Sequence, residues 1–426
     1  MRSQGMLIRT RVIEMSENVR GSYWFLPTLL ACAGFSLGIS LVLVDARLGD
    51  AWLGRYEWFY GSRPEGARAM LSTIAGSTIT VAGVVFSITL AAVTYASGQF
   101  GPRLLGNFMR DRGNQATLGI FIGTYLYCLV VLRTIRSAEE ASAETGGALR
   151  EAFVPHLAMF GGLALAIVST AVLIYFVHHV TSGIHINNVI ARVGRDLIAD
   201  VRQRSDKVAP PTPAKPTSGT FTSIEATKTG YIEAIDFDAL LTVACQHDLM
   251  LRPIRRAGDF VSEGWSLLEA HAPCSVSQRA MLACNAAVTI GPQRTAQQDL
   301  RFAIDELVEI ASRALSPGVN DPFTAIACID WLGAALTEFD RRPAPPETLT
   351  DNDGRVRIIL RPLQFDDYLA AAFGQLRSYI AADPNARRHA LTTLKELAAQ
   401  ASHARHRTLI ETERAQLVGM APGNDV

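Results

Sequence analysis

Apolar residues run almost without interruption through four stretches of the chain, Tyr23 to Val44, Leu71 to Tyr95, Ala116 to Leu132 and His156 to Val177. Each meets the roughly 17–25 residues that a helix needs to cross about 30 Å of hydrocarbon. None contains Asp, Glu, Lys or Arg, so the pattern predicts four transmembrane helices. The first could pass for a signal peptide, but its apolar core is too long and no small-residue cleavage site follows, so it reads as a retained anchor. Beyond a helix reaching about Val201 the character changes. KVAPPTPAKPTSGT is a Pro/Thr/Ser linker, and FTSIEAT and GYIEAID then alternate with the period of strands. Asp236 starts a short helix, LMLRPI is extended, and AGDFVSEGWSLLEAHA reads as turn, strand, turn, strand.

From Val276 the period is helical. Gln298 to Leu315 is strongly amphipathic, with Phe302, Leu307, Ile310 and Ala314 on or near one face. SPGVNDPFTA stops it, and Asp321 with Pro322 starts the next helix. Two more helices are predicted at about Asp366 to Ala381 and Ala386 to Gln416. The fold class is therefore an α-helical membrane protein carrying an α+β domain, a small β-module plus a helical bundle. Its expected divisions are an arm over 1–22, a four-helix membrane domain over 23–180, a helix and Pro-rich linker over 181–220, a β-rich module over 221–272 and a helical domain over 273–426. The GDFVxxGxxLL segment is similar to hairpins of lipoyl-like and barrel-sandwich domains. It lacks a modifiable Lys at the tip, which implies a structural module without carrier chemistry.

The second apolar stretch is unusual in one respect. Ser72, Gly76, Thr80, Gly83, Ser87, Thr94 and Gly98 fall on one helical stripe, because their separations are one three, fours and one seven. Two readings stay open. The stripe lines a hydroxylated passive pathway, or it is a close-packing seam whose hydroxyls bond back to the preceding turn. Four helices are too few to enclose a channel easily, so the first reading requires a homo-oligomer with this helix at the axis. Gln99 and Arg103 would then form the mouth, where Arg103 is equally an anchor for the membrane surface.

Charge matters through its placement. Lys plus Arg and Asp plus Glu both number 40 in the 426 residues, which removes any basic excess that would point to nucleic acid. Arginines crowd the N-terminal arm, the 96–115 loop and the chain after the fourth span, whereas Glu139, Glu140, Glu144 and Glu151 mark the opposite side. The positive-inside rule then puts both termini and the region from 180 onward in the cytoplasm. The absence of intramembrane charge counts against pumps and ion-coupled transporters. The six cysteines are scattered and read as buried reduced thiols. His178, His179 and His185 read as interfacial groups, and no spacing predicts a metal or other cofactor. Arg294, Asp299, Arg313, Asn320 and Asp321 are candidates for a small-molecule or anion pocket, the alternative being helix caps and surface pairs. No catalytic triad or phosphate loop appears, so an enzyme is not expected.

STIAGSTITVAGVVFSITLAAVTYASGQFGPRLLGNFMRDRGNQATLGIFIGTYLYCLVVLR, with GYIEAIDFDALL, RAGDFVSEGWSLL and RTAQQDLRFAIDELVEIASRALSPGVNDPFTA, resembles the bacterial predicted-membrane-protein family called domain of unknown function 2254. The resemblance implies a bacterial inner-membrane location. It implies no activity and supplies no catalytic residues. The expected function is a homo-oligomeric channel or pore-like protein for ions or small solutes, with lipid as its solvent and the soluble domain assembling or gating it. The alternative is a non-conducting scaffold or sensor whose soluble module binds a partner or ligand.

Overall fold

A computed structural model describes residues 23–48, 64–100, 111–136, 153–183, 185–205, 221–272, 275–343 and 345–420. The chain forms two compact units, Met1–His185 and Ile186–Val426. In the first, α1 (Phe25–Leu48), α2 (Pro64–Phe100), α3 (Arg112–Thr134) and α4 (His156–Gly183) follow one another. All four are long and apolar enough to cross a membrane. Each ends beyond its apolar stretch. The 37 residues of α2 span about 55 Å, more than the hydrocarbon thickness, because helix formers such as Glu65, Ala67 and Met70 extend it where hydropathy has already fallen. The N-terminal arm, the loops carrying Arg103 and Glu139, and the aromatic run at Tyr56 to Tyr60 lie outside the described residues.

Helix α3 is the centre of this unit. It packs against α1, α2 and α4, and its buried residues include polar ones, Asn114, Gln115, Thr117 and Thr124. The two GxxxG motifs meet: a Cβ on Gly34 of α1 would overlap the carbonyl oxygen of Gly123 on α3, and one on Gly123 would lie 2.8 Å from the Leu30 oxygen. A Cβ on Gly119 would come 3.0 Å from the Pro27 Cα. Only glycine lets these backbones touch. Deeper in the unit, Leu71, Tyr127, Cys128, Val131 and Ala158 form one apolar cluster, and Val85, Leu118, Phe121 and Phe176 another. Polar groups close both ends. Asp45, buried near the end of α1, accepts hydrogen bonds from the Leu157 and Ala158 amides at 3.1 and 2.9 Å, satisfying the N-terminus of α4. The Tyr127 hydroxyl donates to the Ala158 carbonyl at 2.6 Å. At the opposite end Asp111 caps α3 and binds His179 Nε2 of α4 at 3.0 Å.

The second unit opens with α5 (Ile186–Ser205) and continues with β1 (Thr222–Glu225), β2 (Gly230–Ile235), α6 (Phe237–Gln246), β3 (Met250–Pro253), β4 (Phe260–Val261), β5 (Ser266–His271), α7 (Gln278–Ala286) and β6 (Val288–Gly291). Then come α8 (Arg301–Ala314), α9 (Pro322–Arg341), β7 (Thr348–Thr350), β8 (Val356–Ile359), α10 (Phe365–Leu369), a π turn over Ala370–Gly374, α11 (Gln375–Ala382), α12 (Pro384–Gln400) and α13 (Ala404–Gly419). One sheet has the order β1-β5-β3-β8-β7, antiparallel except for the parallel β3–β8 pair; the other has the order β4-β2-β6 and is antiparallel. Ile224, Ile232, Leu240, Leu251, Leu268 and Ile358 share their core.

Two boundaries differ from the sequence reading. The 221–272 segment is not a closed β-module, because β6, β7 and β8 come from the stretch expected to be helical and complete both sheets. Short strands of three or four residues give too little alternation to stand out from helical neighbours. The single helix expected over Ala386 to Gln416 is two, α12 and α13. Asp340, buried on α9, takes the Ser402 amide at 2.7 Å and His406 Nδ1 at 2.8 Å, and these long-range bonds replace helical ones at the break. Helix α5 belongs with this unit. Its Gly194 lies under the Trp331 ring of α9, and Arg202 binds Glu338 at 2.6 Å.

Gly34→Val should cost the folded first unit about 1–3 kcal/mol or more through backbone overpacking. Gly83→Val, where a Cβ meets nothing within 4 Å, should leave it nearly unchanged. Thermal unfolding in detergent micelles separates the two outcomes.

Candidate functional site

Helix α2 presents two opposed faces. Ala67, Leu71, Ala75, Thr78, Ala82, Val85, Thr89 and Val93 are buried against the chain's own helices. Ser72, Gly76, Thr80, Gly83, Ser87 and Thr94 are all exposed. At 100° per residue the centres of the two sets are roughly 140° apart. Among the described residues, nothing outside the helix's own backbone lies within 4 Å of a Cβ built on Gly76 or Gly83, so none of the described helices packs on the stripe at these two positions. The hydroxyls are satisfied locally: Thr80 donates to the Gly76 carbonyl at 2.8 Å, Ser87 to Gly83 at 2.9 Å and Thr94 to Leu90 at 2.9 Å. Each of these residues is exposed, and a hydroxyl that donates backward keeps lone pairs with which to accept from water or a neighbouring helix. Ile79, Phe86 and Leu90 on one flank and Val84, Ile88 and Tyr95 on the other are large and exposed, so the small residues form a shallow channel between two apolar ridges. Gln99 falls in the last turn of α2, and Arg103 lies outside the described residues.

The five residues considered for a ligand pocket separate into two groups. Arg294 and Asp299 come together just before α8. The Asp299 carboxylate, 3% exposed as a residue, receives the Arg294 guanidinium and the Arg301 amide at 3.0 Å, while Arg294 also reaches Asp305 at 2.6 Å. Burial alone would lower the Arg294 pKa, but the hydrogen bonds and charges of Asp299 and Asp305 outweigh it and hold the group above its ordinary value. Arg301 adds a bond to Asp259 at 3.1 Å. Arg313, Asn320 and Asp321 sit at the other end of α8, about 21 Å along a helix of 14 residues. There they hold the turn. Asp321 caps α9 through the Thr324 amide at 3.2 Å, Asn320 takes a positive φ of 51°, and Arg313 pairs with Glu309. They do not join the pocket.

Arg301 and Asp259 were missed because nothing in the local period of GDF or QQDLRF ties the hairpin to the start of α8. The signal was Gly258, whose φ of +90° and absent side chain let Asp299 pack against the turn. Of the cysteines, Cys128, Cys284 and Cys328 are buried, and burial pushes the Cys284 thiol up to about 11, away from nucleophile chemistry. Cys32 and Cys245 are exposed, against the expectation of burial: one lies on a lipid-length helix and the other on the outer side of α6. Cys274 lies outside the described residues. No group of three or more His, Cys, Asp or Glu among the described residues is placed to hold a metal ion.

The sequence profile described as a predicted membrane protein, DUF2254, matches residues 20–396. The chain belongs to this family. DUF2254 relatives include the uncharacterized protein Mb1321c of Mycobacterium bovis and the uncharacterized proteins Rv1290c and MT1328 of Mycobacterium tuberculosis. Each is 32% identical over 426 residues, covering 98% of this chain and 79% of the relative. No solved structure matches the chain. The matched region of this DUF2254 protein includes both the α2 stripe and the Arg294–Asp299 network.

Asp299→Ala would leave Arg294 with Asp305 alone and take the acceptor from the Arg301 amide in a buried position, at a cost of about 1.5–3 kcal/mol. Asp321→Ala loses only a helix cap, about 0.5–2 kcal/mol. Thermal unfolding of the two variants side by side should show the larger loss for Asp299.

Proposed function

We propose that this protein is a homo-oligomeric inner-membrane channel or pore-like transport protein for ions or small solutes, with α2 at the subunit contact or lining the path. The observation that carries the reading is the exposed stripe of small and hydroxylated residues opposite the buried face of α2, with open space over Gly76 and Gly83. In lipid, Gly and Ser surfaces gain little from acyl chains, so such a face is better matched by another helix or by water than by hydrocarbon. The absence of Asp, Glu, Lys and Arg from the apolar stretches supports a passive path over a coupled pump, and no catalytic reaction is proposed. The positive-inside pattern supports cytoplasmic termini, which gives the second unit the role of assembling or gating the membrane part.

Purified protein in liposomes should pass ions, and Thr80→Leu or Ser87→Leu should reduce that flux at least tenfold while leaving the fold intact. A Gly83→Cys variant should form disulfide-linked dimers in native membranes. Cross-linking without flux at any voltage, pH or salt would instead establish the non-conducting scaffold. Absence of both would remove the oligomer.

A further inference from the structure

An open cavity of about 610 Å³ lies in the second unit, where the β4 turn, the start of α8 and the π turn after α10 converge. Its charged lining is balanced, with Arg255, Arg294 and Arg301 set against Asp259, Asp305 and Asp367. Four of these six are already engaged: Arg294 binds Asp305 at 2.6 Å, Arg301 binds Asp259 at 3.1 Å, and both arginines also face the buried Asp299. Arg255 and Asp367 remain. Among the described residues Arg255 makes no ion pair. Its Nε is inaccessible to solvent and without an acceptor, and its guanidinium lies 5.7 Å from the centroid of the Trp265 ring. One Asp367 oxygen accepts the Gln364 amide at 2.9 Å in the cap of α10, and the other has no hydrogen-bond partner among the described residues. A free cation and a half-used carboxylate thus face one cavity without touching each other.

The surroundings are built to keep that space. Gly258 stands at φ +90°, and a side chain there would run into Asp299, so the β4 turn is held close against the ion network. Opposite it, the helix widens into a π turn over Ala370–Gly374, and the small Ala370 and Ala371 face the cavity with Gln375. Such turns carry an extra residue at a cost in helix geometry and are frequent at functional sites. The Arg255 fork suits a carboxylate, because a planar guanidinium can give it two parallel hydrogen bonds. The spare Asp367 oxygen suits an ammonium group. The rest of the lining pairs two arginines with Asp259, Asp305 and the buried Asp299, one carboxylate in excess, which opposes a highly charged anion such as a nucleoside triphosphate.

We infer that this cavity is a binding site for a small zwitterion of the amino-acid type, its carboxylate on Arg255 and its ammonium on Asp367. The site stands whether or not the membrane part conducts. The full chain in detergent, unfolded thermally in the presence of each common L-amino acid in turn, tests it. At least one should raise the midpoint by about 2–5 °C when in tenfold excess over its dissociation constant. Acetate and methylammonium, each carrying half of the charge pattern, should leave the midpoint unchanged. Arg255→Gln and Asp367→Asn should each abolish the shift. Asn keeps an oxygen for the Gln364 amide, so the cap survives, and Arg313→Gln, outside the cavity, should respond like the parent. If no amino acid stabilises the protein, if acetate alone does as well, or if both cavity variants still respond, the assignment is wrong.

Discussion

The contact of bare backbone between α1 and α3 is the constraint on which the membrane unit depends. Lipid tails offer helices no hydrophobic reason to associate, so association rests on close packing and on polar groups that find partners. Gly34 and Gly123 bring the two backbones together, and Gly119 lets Leu30 and Pro27 settle against α3. With α3 thus seated at the centre, its polar side chains can be buried. Thr124 meets Ser169 of α4 at 3.1 Å, and Tyr127 reaches the Ala158 carbonyl. The ends are then closed by Asp45 and by the Asp111–His179 pair.

That arrangement has a consequence for α2. Its intramolecular contacts use Ala67, Leu71, Ala75, Ala82 and Val85, so the Gly- and hydroxyl-bearing stripe is turned outward. Small residues therefore serve two different ends in one unit. On α1 and α3 they are occupied by the partner helix of the same chain, whereas on α2 they are free for a neighbour or for water. The second unit follows a related logic with charge in place of close packing. Asp299 and Asp340 are each buried and each collect several donors, the first joining the β4 turn to α8 and the second holding the α12–α13 break against α9. Buried carboxylates satisfied this fully fix geometry, because a carboxylate left in the interior without its donors is costly.

Much of this was legible in the residues. Four runs of apolar side chains announce spanning helices through composition alone, since no soluble core needs such lengths. Asp236 and Asp321 announce helix starts because a cap acts within three residues, and the structure places the Ala239 and Thr324 amides on them. Sheet membership was not legible. β6, β7 and β8 are short and pair with strands far away in the chain, and local period carries no information about distant partners. The ligand-pocket residues show the same limit. Arg294 and Asp299 are five apart and meet, but Asn320 and Asp321, although part of the same polar stretch, are carried off by the length of α8.

The sequence by itself determined the four apolar stretches long enough to cross a membrane and the existence of the small-residue stripe, because hydropathy and helical period are properties of neighbouring residues. Only the tertiary structure decided which way each stripe faces. The GxxxG motifs of α1 and α3 and the stripe of α2 are chemically alike, and nothing in their spacing tells an internal seam from an open face. That choice comes from which helices pack together, a matter of steric fit between segments more than 80 residues apart in the case of Gly34 and Gly123. The cavity has the same origin. Arg255 and Asp367 stand over a hundred positions apart, and only the fold places an unpaired cation and a half-used carboxylate around one space.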